Sequence, residues 1–203
     1  MNSKSLLRPD ALSTGQPLLD GDLMLYSACV ADSPALFHQL LNSILWQQGY
    51  VTLYGKRHLI PRLQAWYGDP DAGYRYSGET LTPLPWTAEL KQLKDELQTM
   101  TGLPLNSVLA NLYRNGQDKM GWHADDETEL GEQPQILSLS LGACRDFALR
   151  PKGASRQHSQ VALTDGSLLW MKAGMQSRWQ HALPARARVT TPRINLTFRL
   201  VNQ

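Results

Sequence analysis

The chain has 203 residues, 42% of them hydrophobic and 19% charged, with 15 Gly and 12 Pro. That length buries roughly 70% of the unfolded surface in one globular domain, and the composition excludes disorder, collagen and coiled coil. No run approaches the roughly 18 apolar residues of a membrane helix, and the opening MNSKSLLRPDALSTG lacks the apolar core of a secretory signal, so no export and no membrane contact are expected. Cys29 and Cys144 form no CxxC pair, which suits a reducing compartment. The net charge of +2 is unevenly spread: residues 141–203 hold 10 Lys and Arg against 2 Asp and Glu, and residues 1–140 hold 10 against 16. Such asymmetry fits a polyanionic partner such as nucleic acid, a small acidic ligand, or a merely solvated basic face.

Residues 1–30 read as an N-terminal extension of unclear role. Ser33 and Pro34 then start a helix in which Leu36, Phe37, Leu40, Leu41, Ile44 and Leu45 recur at helical spacing as far as Gly49. Residues 50–54 and 73–82 suit strands or hairpins flanking a mouth. A second helix is predicted over about 87–101, with Leu90, Leu93, Leu97 and Met100 on one face and Gly102 as its stop. Beyond Gly102 the period changes from 3.6 to 2. Strands are expected at 107–113, 136–141, 146–150, 160–163, 167–171, 179–183 and 193–201. This order predicts an α+β, mainly β chain: a jelly-roll, a double-stranded β-helix of cupin-like form, with two N-terminal helices packed outside.

In the last predicted strand Ile194, Leu196, Phe198 and Leu200 alternate with Arg193, Asn195, Thr197 and Arg199, so the four polar side chains share one face. An ordinary half-exposed strand with a wet face shows the same alternation. The other reading is a polar cleft lining, where two guanidiniums hold a small dicarboxylate.

His123 stands two residues before Asp125, so in an extended segment both side chains leave one face and can grip one metal ion. Five His and 12 Asp give roughly 0.3 such pairs by chance, so the pair alone says little. His181, on a later predicted strand, supplies a third ligand if neighbouring strands bring it back. Two His and one carboxylate leave open positions on an octahedral ion, as in non-haem Fe(II) oxygenases, and the spacing is not the helical HExxH of zinc hydrolases. A surface His123 beside acidic residues and a satisfied core His181 are the plain alternatives.

NLYRNGQDKMGWHADDE (111–127), HALP with His181, and RINLTFR (193–199), together with YGKRHLIPR, YRYSG, PLPW and SLSLGACRDFALR, resemble the AlkB family of Fe(II)- and 2-oxoglutarate-dependent nucleic-acid dealkylating dioxygenases. The likeness runs from about residue 50 to the C-terminus. It implies a single dioxygenase domain over 31–203, with a substrate lid at about 50–82. It implies that His123, Asp125 and His181 bind Fe(II), and that Asn111 and Tyr113 hydrogen-bond the tail of 2-oxoglutarate. Arg193 then pairs with the distal carboxylate, Arg199 neutralises the carboxylate beside the keto group as part of the catalytic set, and Asn195 and Thr197 complete the wall. With O2 as second co-substrate, the implied reaction couples decarboxylation to succinate with hydroxylation of an N-alkyl carbon, which leaves as an aldehyde.

An alkylated base in a duplex must be flipped out to be reached. The resemblance makes Tyr74 and Tyr76 lid aromatics around such a base, and Asp126 and Glu127 acceptors for the amino edge of adenine or cytosine. Tyr54, before Gly55 and Lys56, stands at a hairpin tip suited to enter the stack, with the cations on phosphates. The strings YGKRH, YGD and GACRDF resemble most the branch acting on double-stranded DNA, with single-stranded DNA and RNA as further substrates. A monomer is expected, in the cytoplasm with the nucleoid if the source is bacterial and in the nucleus if it is eukaryotic. An RNA demethylase or peptide-hydroxylating dioxygenase of the same chemistry, and a catalytically silent nucleic-acid binding module, are the competing functions.

Overall fold

The computed structural model describes residues 4–53, 55–76 and 79–202. In chain order the elements are β1 (Gln16–Leu18), β2 (Leu23–Tyr26), α1 (Ser33–Ser43), β3 (Gln47–Leu53), β4 (Lys56–Gly68), β5 (Tyr74–Tyr76), β6 (Glu79–Leu81), α2 (Ala88–Thr101), β7 (Ser107–Tyr113) and β8 (Met120–His123). There follow β9 (Ile136–Gly142), β10 (Arg145–Pro151), β11 (Ser159–Leu163), β12 (Leu168–Met171), the single turn α3 (Met175–Arg178), β13 (Trp179–Leu183) and β14 (Arg193–Arg199).

Eight strands form a large sheet in the order β1-β2-β12-β9-β14-β7-β4-β3, four form a smaller one in the order β11-β10-β13-β8, and β5 pairs with β6. All these pairings are antiparallel. The two sheets enclose one apolar cluster, in which Ile136, Leu169 and Met171 of the large sheet meet Phe147, Leu149 and Leu163 of the small one. The other face of the large sheet presents Ala110, Leu139, Leu196 and Phe198 to Leu36, Phe37 and Leu40 of α1 and to Leu90, Leu93 and Leu97 of α2. This is the expected jelly-roll with its helices outside.

Helix α2 begins where the Thr87 hydroxyl accepts from the Leu90 amide at 3.3 Å. It stops at Gly102, which adopts φ +72° to close the last turn. Helix α1 is capped by Asp32, whose carboxylate accepts from the Ala35 amide at 3.2 Å, but it ends at Ser43 rather than running to Gly49. The Leu45 amide donates to the Tyr67 hydroxyl at 2.9 Å, and the Trp46 indole donates to the Leu41 carbonyl at 3.1 Å. These tertiary bonds replace the next helical turn, and Leu45, placed on the apolar stripe by its spacing, is 61% exposed.

Four strands escape the sequence patterns. Strand β4 mixes cations, aromatics and Pro61, which conceals its alternation; the register against β3 shifts between Gln48 and Tyr50, so β4 bulges around Pro61, where the missing amide donor is accommodated. Strand β8 is only four residues long. Strands β1 and β2 lie in the N-terminal segment, where β2 pairs with β12, and Leu7, Tyr26, Cys29 and Val30 join the core beneath the helices.

The loop from β7 to β8 joins the strand of Asn111 and Tyr113 to the strand of His123, so its shape fixes the distance between them. Gly116 makes this possible: a Cβ there would lie 1.8 Å from the Arg186 carbonyl oxygen, and the Gly116 amide donates to the Val189 carbonyl at 2.7 Å. Asp118 receives the Arg114 guanidinium in a fork at 2.8 and 2.9 Å, and the Arg114 amide at 2.9 Å. Arg145, 2% exposed, donates to the carbonyls of Asn115, Asp118 and Pro184 at 3.2, 2.9 and 2.8 Å.

Burial alone pushes the Asp118 carboxyl upward, but the bonds from Arg114 and the nearby Arg145 charge together hold it below its ordinary 3.8. A carboxylate depressed in the folded state stabilises above its unfolded pKa and loses that contribution as pH falls through the folded value. Asp118→Asn is therefore expected to lose about 1–2 kcal/mol at about pH 7, with the half-exposed Arg114 discounted for solvent screening. The gap from wild type in urea midpoints should narrow as the pH falls through the depressed folded-state pKa of Asp118.

Candidate active site

Between the sheets lies a cavity of about 60 Å³, lined by Asn111 and Tyr113 of β7, His123 of β8, Asp125, Phe147 of β10, His181 of β13 and the four polar residues of β14.

His123 and His181 are direct cross-strand partners on β8 and β13, with ring centroids 4.2 Å apart. Asp125 lies two residues beyond the end of β8, with its carboxylate oxygens 3.7 Å from His123 Nε2 and 3.8 Å from His181 Nε2. One ligand atom from each of the three lies within 4.8 Å of the others. Hydrogen bonds hold this arrangement in place. The His123 Nδ1 is 2.9 Å from the Gly121 carbonyl, and since a carbonyl only accepts, the proton sits on Nδ1 and Nε2 keeps its lone pair. The Asp125 amide donates to the side-chain oxygen of Gln176, a buried residue of α3 that no sequence pattern singled out. Phe147 stacks on His181 at 4.9 Å.

Burial, helped by nearby His123 and opposed by Asp125, lowers the His181 pKa to about 4, so the imidazole is neutral and able to ligate. For Asp125 burial is the largest influence and acts upward, yet His181, Arg199 and His123 together hold its carboxyl below the ordinary value. The His181 Nδ1 is buried with no hydrogen-bond partner among the described residues. The neutral His181 imidazole, the His123 Nε2 and the Asp125 carboxylate, each within reach of the others, fit a divalent ion such as Fe(II) that keeps further positions open.

All seven residues of β14 are buried, so its polar face is not wet. Arg193 donates to the Ser140 hydroxyl at 2.9 Å and its guanidinium lies 5.4 Å from the centre of the Tyr113 ring. Asn195 donates to the Ser138 hydroxyl at 2.7 Å, and the Thr197 hydroxyl donates to the Asn195 side-chain oxygen at 3.2 Å. Burial pushes the Arg193 pKa down to about 10, with Tyr113 opposing, which leaves it cationic near neutrality. The Nε atoms of Arg193 and Arg199 are buried and unpartnered among the described residues, and two buried cations with spare donors fit a dianionic ligand. Ser138 and Ser140 alternate with leucines in ILSLSLG, a signal by which the sequence could have placed them on this face.

Asp126 and Glu127 are exposed at the edge of the site. Asp126 pairs with Lys152 at 2.6 Å, a contact the sequence did not suggest, and Glu127 lines a small cavity beside Arg199. Gly55, with φ +75°, and exposed Lys56 stand at the turn between β3 and β4. Tyr54 and the side chains of Tyr74 and Tyr76 lie outside the described residues; β5 carries the Tyr74 and Tyr76 backbone in register with Leu81 and Glu79.

Residues 29–199 match the 2OG-Fe(II) oxygenase superfamily. The chain is 40% identical over 181 residues to the DNA oxidative demethylase ALKBH2 of Bos taurus, covering 84% of this chain and 65% of that protein. It is 38% identical over 205 residues to the protein of the same name from Mus musculus, covering 96% and 82%. The solved structure of OsALKBH1 shares the fold, with a TM-score of 0.64 at 20% identity over 92% of this chain and 100% of that one. With the superfamily match spanning most of the chain and these relatives alike along it, the protein belongs to the AlkB family of 2OG-Fe(II) oxygenases.

Proposed function

We propose that this chain removes N-alkyl groups from bases in DNA by Fe(II)- and 2-oxoglutarate-dependent oxidation, with lesions of the 1-methyladenine and 3-methylcytosine type as substrates. The observation that carries this reading is the convergence, in one cavity, of His123, Asp125 and His181 with the buried cations Arg193 and Arg199. The names of the mammalian relatives support DNA as the substrate.

In this reading His123, Asp125 and His181 hold the iron. Arg193, beside Tyr113, takes the distal carboxylate of 2-oxoglutarate, and Arg199, close enough to lower the Asp125 pKa, takes the carboxylate near the metal. Asn111, Asn195 and Thr197 give the cavity a hydrogen-bonding wall that fixes the acid's orientation. When bound, iron, 2-oxoglutarate and O2 supply the oxidation of the alkyl carbon. The chain's own work is to place the target, keep the imidazoles neutral and limit water in the cavity. The flipped nucleotide approaches this cavity between the turn at Gly55 and Lys56, the paired strands β5 and β6 and the edge bearing Asp126 and Glu127. Lys152 neutralises Asp126 until an amino-bearing base competes for the carboxylate. Tyr54 fills the gap in a duplex, and the protein acts as a monomer.

The function is tested by incubating protein, Fe(II) and 2-oxoglutarate without oxygen, admitting air, and following methylated oligonucleotides by mass spectrometry. Loss of the methyl mass from duplex DNA is expected, and Tyr54→Ala should reduce activity on duplex at least about tenfold more than on the same single strand. No demethylation of any DNA form, with succinate still released, would show that the substrate is something else.

His181→Ala should abolish succinate release. Mn(II), a redox-inert stand-in, should raise the melting temperature of the wild type by an amount equivalent to about 2.7 kcal/mol at a hundredfold excess over its dissociation constant, and leave this variant unmoved. Arg193→Lys keeps the charge but loses the planar fork, so the Michaelis constant for 2-oxoglutarate should rise about tenfold or more while the turnover number changes less.

A further inference from the structure

Arg62 stands on β4, in the hairpin whose turn bears Gly55 and Lys56, yet its side chain points into the molecule and is 8% exposed. Its Nε donates to the side-chain oxygen of Asn111 at 2.7 Å, and Asn111 is itself 5% exposed. The register explains the reach: Gln64 of β4 lies opposite Asn111 of β7, so Arg62, two residues back, shares the face on which Asn111 meets the cavity. The backbone at Arg62 is clamped as well. The Gln48 side chain donates to the carbonyls of Ile60 and Arg62 at 2.6 and 3.1 Å, and the Lys119 amide donates to that of Pro61 at 3.0 Å.

An asparagine amide can turn over, presenting either its oxygen or its nitrogen to a ligand, and the two ends have opposite hydrogen-bonding character. A guanidinium only donates. The atom of Asn111 facing Arg62 must therefore be the oxygen, and the nitrogen is left for the cavity, where no hydrogen bond to it is formed by the described residues. We infer that Arg62 is a positioning residue for co-substrate binding: by occupying the Asn111 oxygen it locks the amide with its N–H groups toward the carboxylate or keto oxygen of 2-oxoglutarate. Without it the amide is free to present an oxygen to an anion. This rests on the reading that 2-oxoglutarate binds in the cavity against Asn111. It adds a side-chain link between β4 and that cavity to the β4–β7 ladder.

The test is a double-mutant cycle read by calorimetric titration of the intact protein, loaded with Mn(II) in place of iron so that no turnover occurs, with 2-oxoglutarate as titrant. Arg62→Met should weaken binding about five- to thirtyfold in the native background and less than about twofold in an Asn111→Ala background, because Arg62 acts through Asn111. Arg62→Lys keeps a donor-only head group and should recover most of the loss. If Arg62→Met does not fold, the same cycle is run with Arg62→Gln, a neutral residue of similar reach that can accept as well as donate and so no longer pins the amide. Equal weakening by the Arg62 variant in both backgrounds would show that it acts independently of Asn111 and overturn the inference. So would unchanged affinity in that variant when Asn111→Ala alone still weakens binding. Unchanged affinity in Asn111→Ala would instead remove the reading of the cavity on which the inference stands.

Discussion

Everything at the centre of this molecule depends on the strict two-residue alternation of β14, which is buried on both faces. One face, Ile194, Leu196 and Phe198, is committed to the apolar layer beneath α1 and α2. The other is therefore forced to hold Arg193, Asn195, Thr197 and Arg199 between the sheets, away from bulk water. Burying two guanidiniums is expensive, and a slip of one residue would exchange the two faces. Pairing with β7 on one side and β9 on the other fixes the register along the strand, so the layer that stabilises the fold also holds the cationic wall in place.

The metal-ligand cluster faces the opposite electrostatic demand. Dehydration favours neutral imidazoles and works against a carboxylate, and Asp125 stays ionised because Arg199 and the two histidines lie close to it. Arg199 thus belongs to the cationic wall of the cavity and also favours the Asp125 carboxylate. The direct opposition of His123 and His181 across β8 and β13 sets their spacing through the small sheet, while Asp125, past the strand end, is held by the Gln176 side chain rather than by a ladder.

How much of this the sequence discloses follows from the range of each interaction. Alternation along β7, β9 and β14 is a local property, and it is legible because one face of each is apolar without exception at the decisive positions. The pairing of His123 with Asp125 is equally local, whereas His181 becomes a partner only once strand order is known. The end of α1 is not legible, because the Tyr67 hydroxyl that captures the Leu45 amide comes from 22 residues downstream. Arg62 and Arg145 are hidden for a similar reason. An arginine in a sequence reads as surface, and only the orphan acceptors it meets in the fold, the Asn111 side-chain oxygen or the carbonyls of Asn115, Asp118 and Pro184, show why it is inside. The recognisable strings around Asn111, His123 and Arg193 thus specify the ligand-facing atoms, while the atoms that orient them are spread through segments without a pattern.

The N-terminal segment shows the same division on a larger scale. Its sequence announces no element, yet β2 covers one side of β12, which would otherwise end the large sheet with its ladder groups unpaired. At its start the amides of Leu6 and Leu7 both donate to the Glu96 carboxylate of α2, at 3.0 and 2.8 Å, so the chain is tied to the helix layer before it crosses to the sheet edge. Leu7 and Val30 pair in an isolated bridge and enter the core from opposite ends of this crossing. Strand β12, which β2 covers, also carries Met171, whose sulfur accepts from the Gln176 amide nitrogen at 3.3 Å, and Gln176 in turn holds Asp125. A continuous set of contacts therefore runs from the first described residues to a metal-ligand candidate. Strand β2, remote in sequence from every chemical motif, thus belongs to the same packed unit as the Asp125 carboxylate.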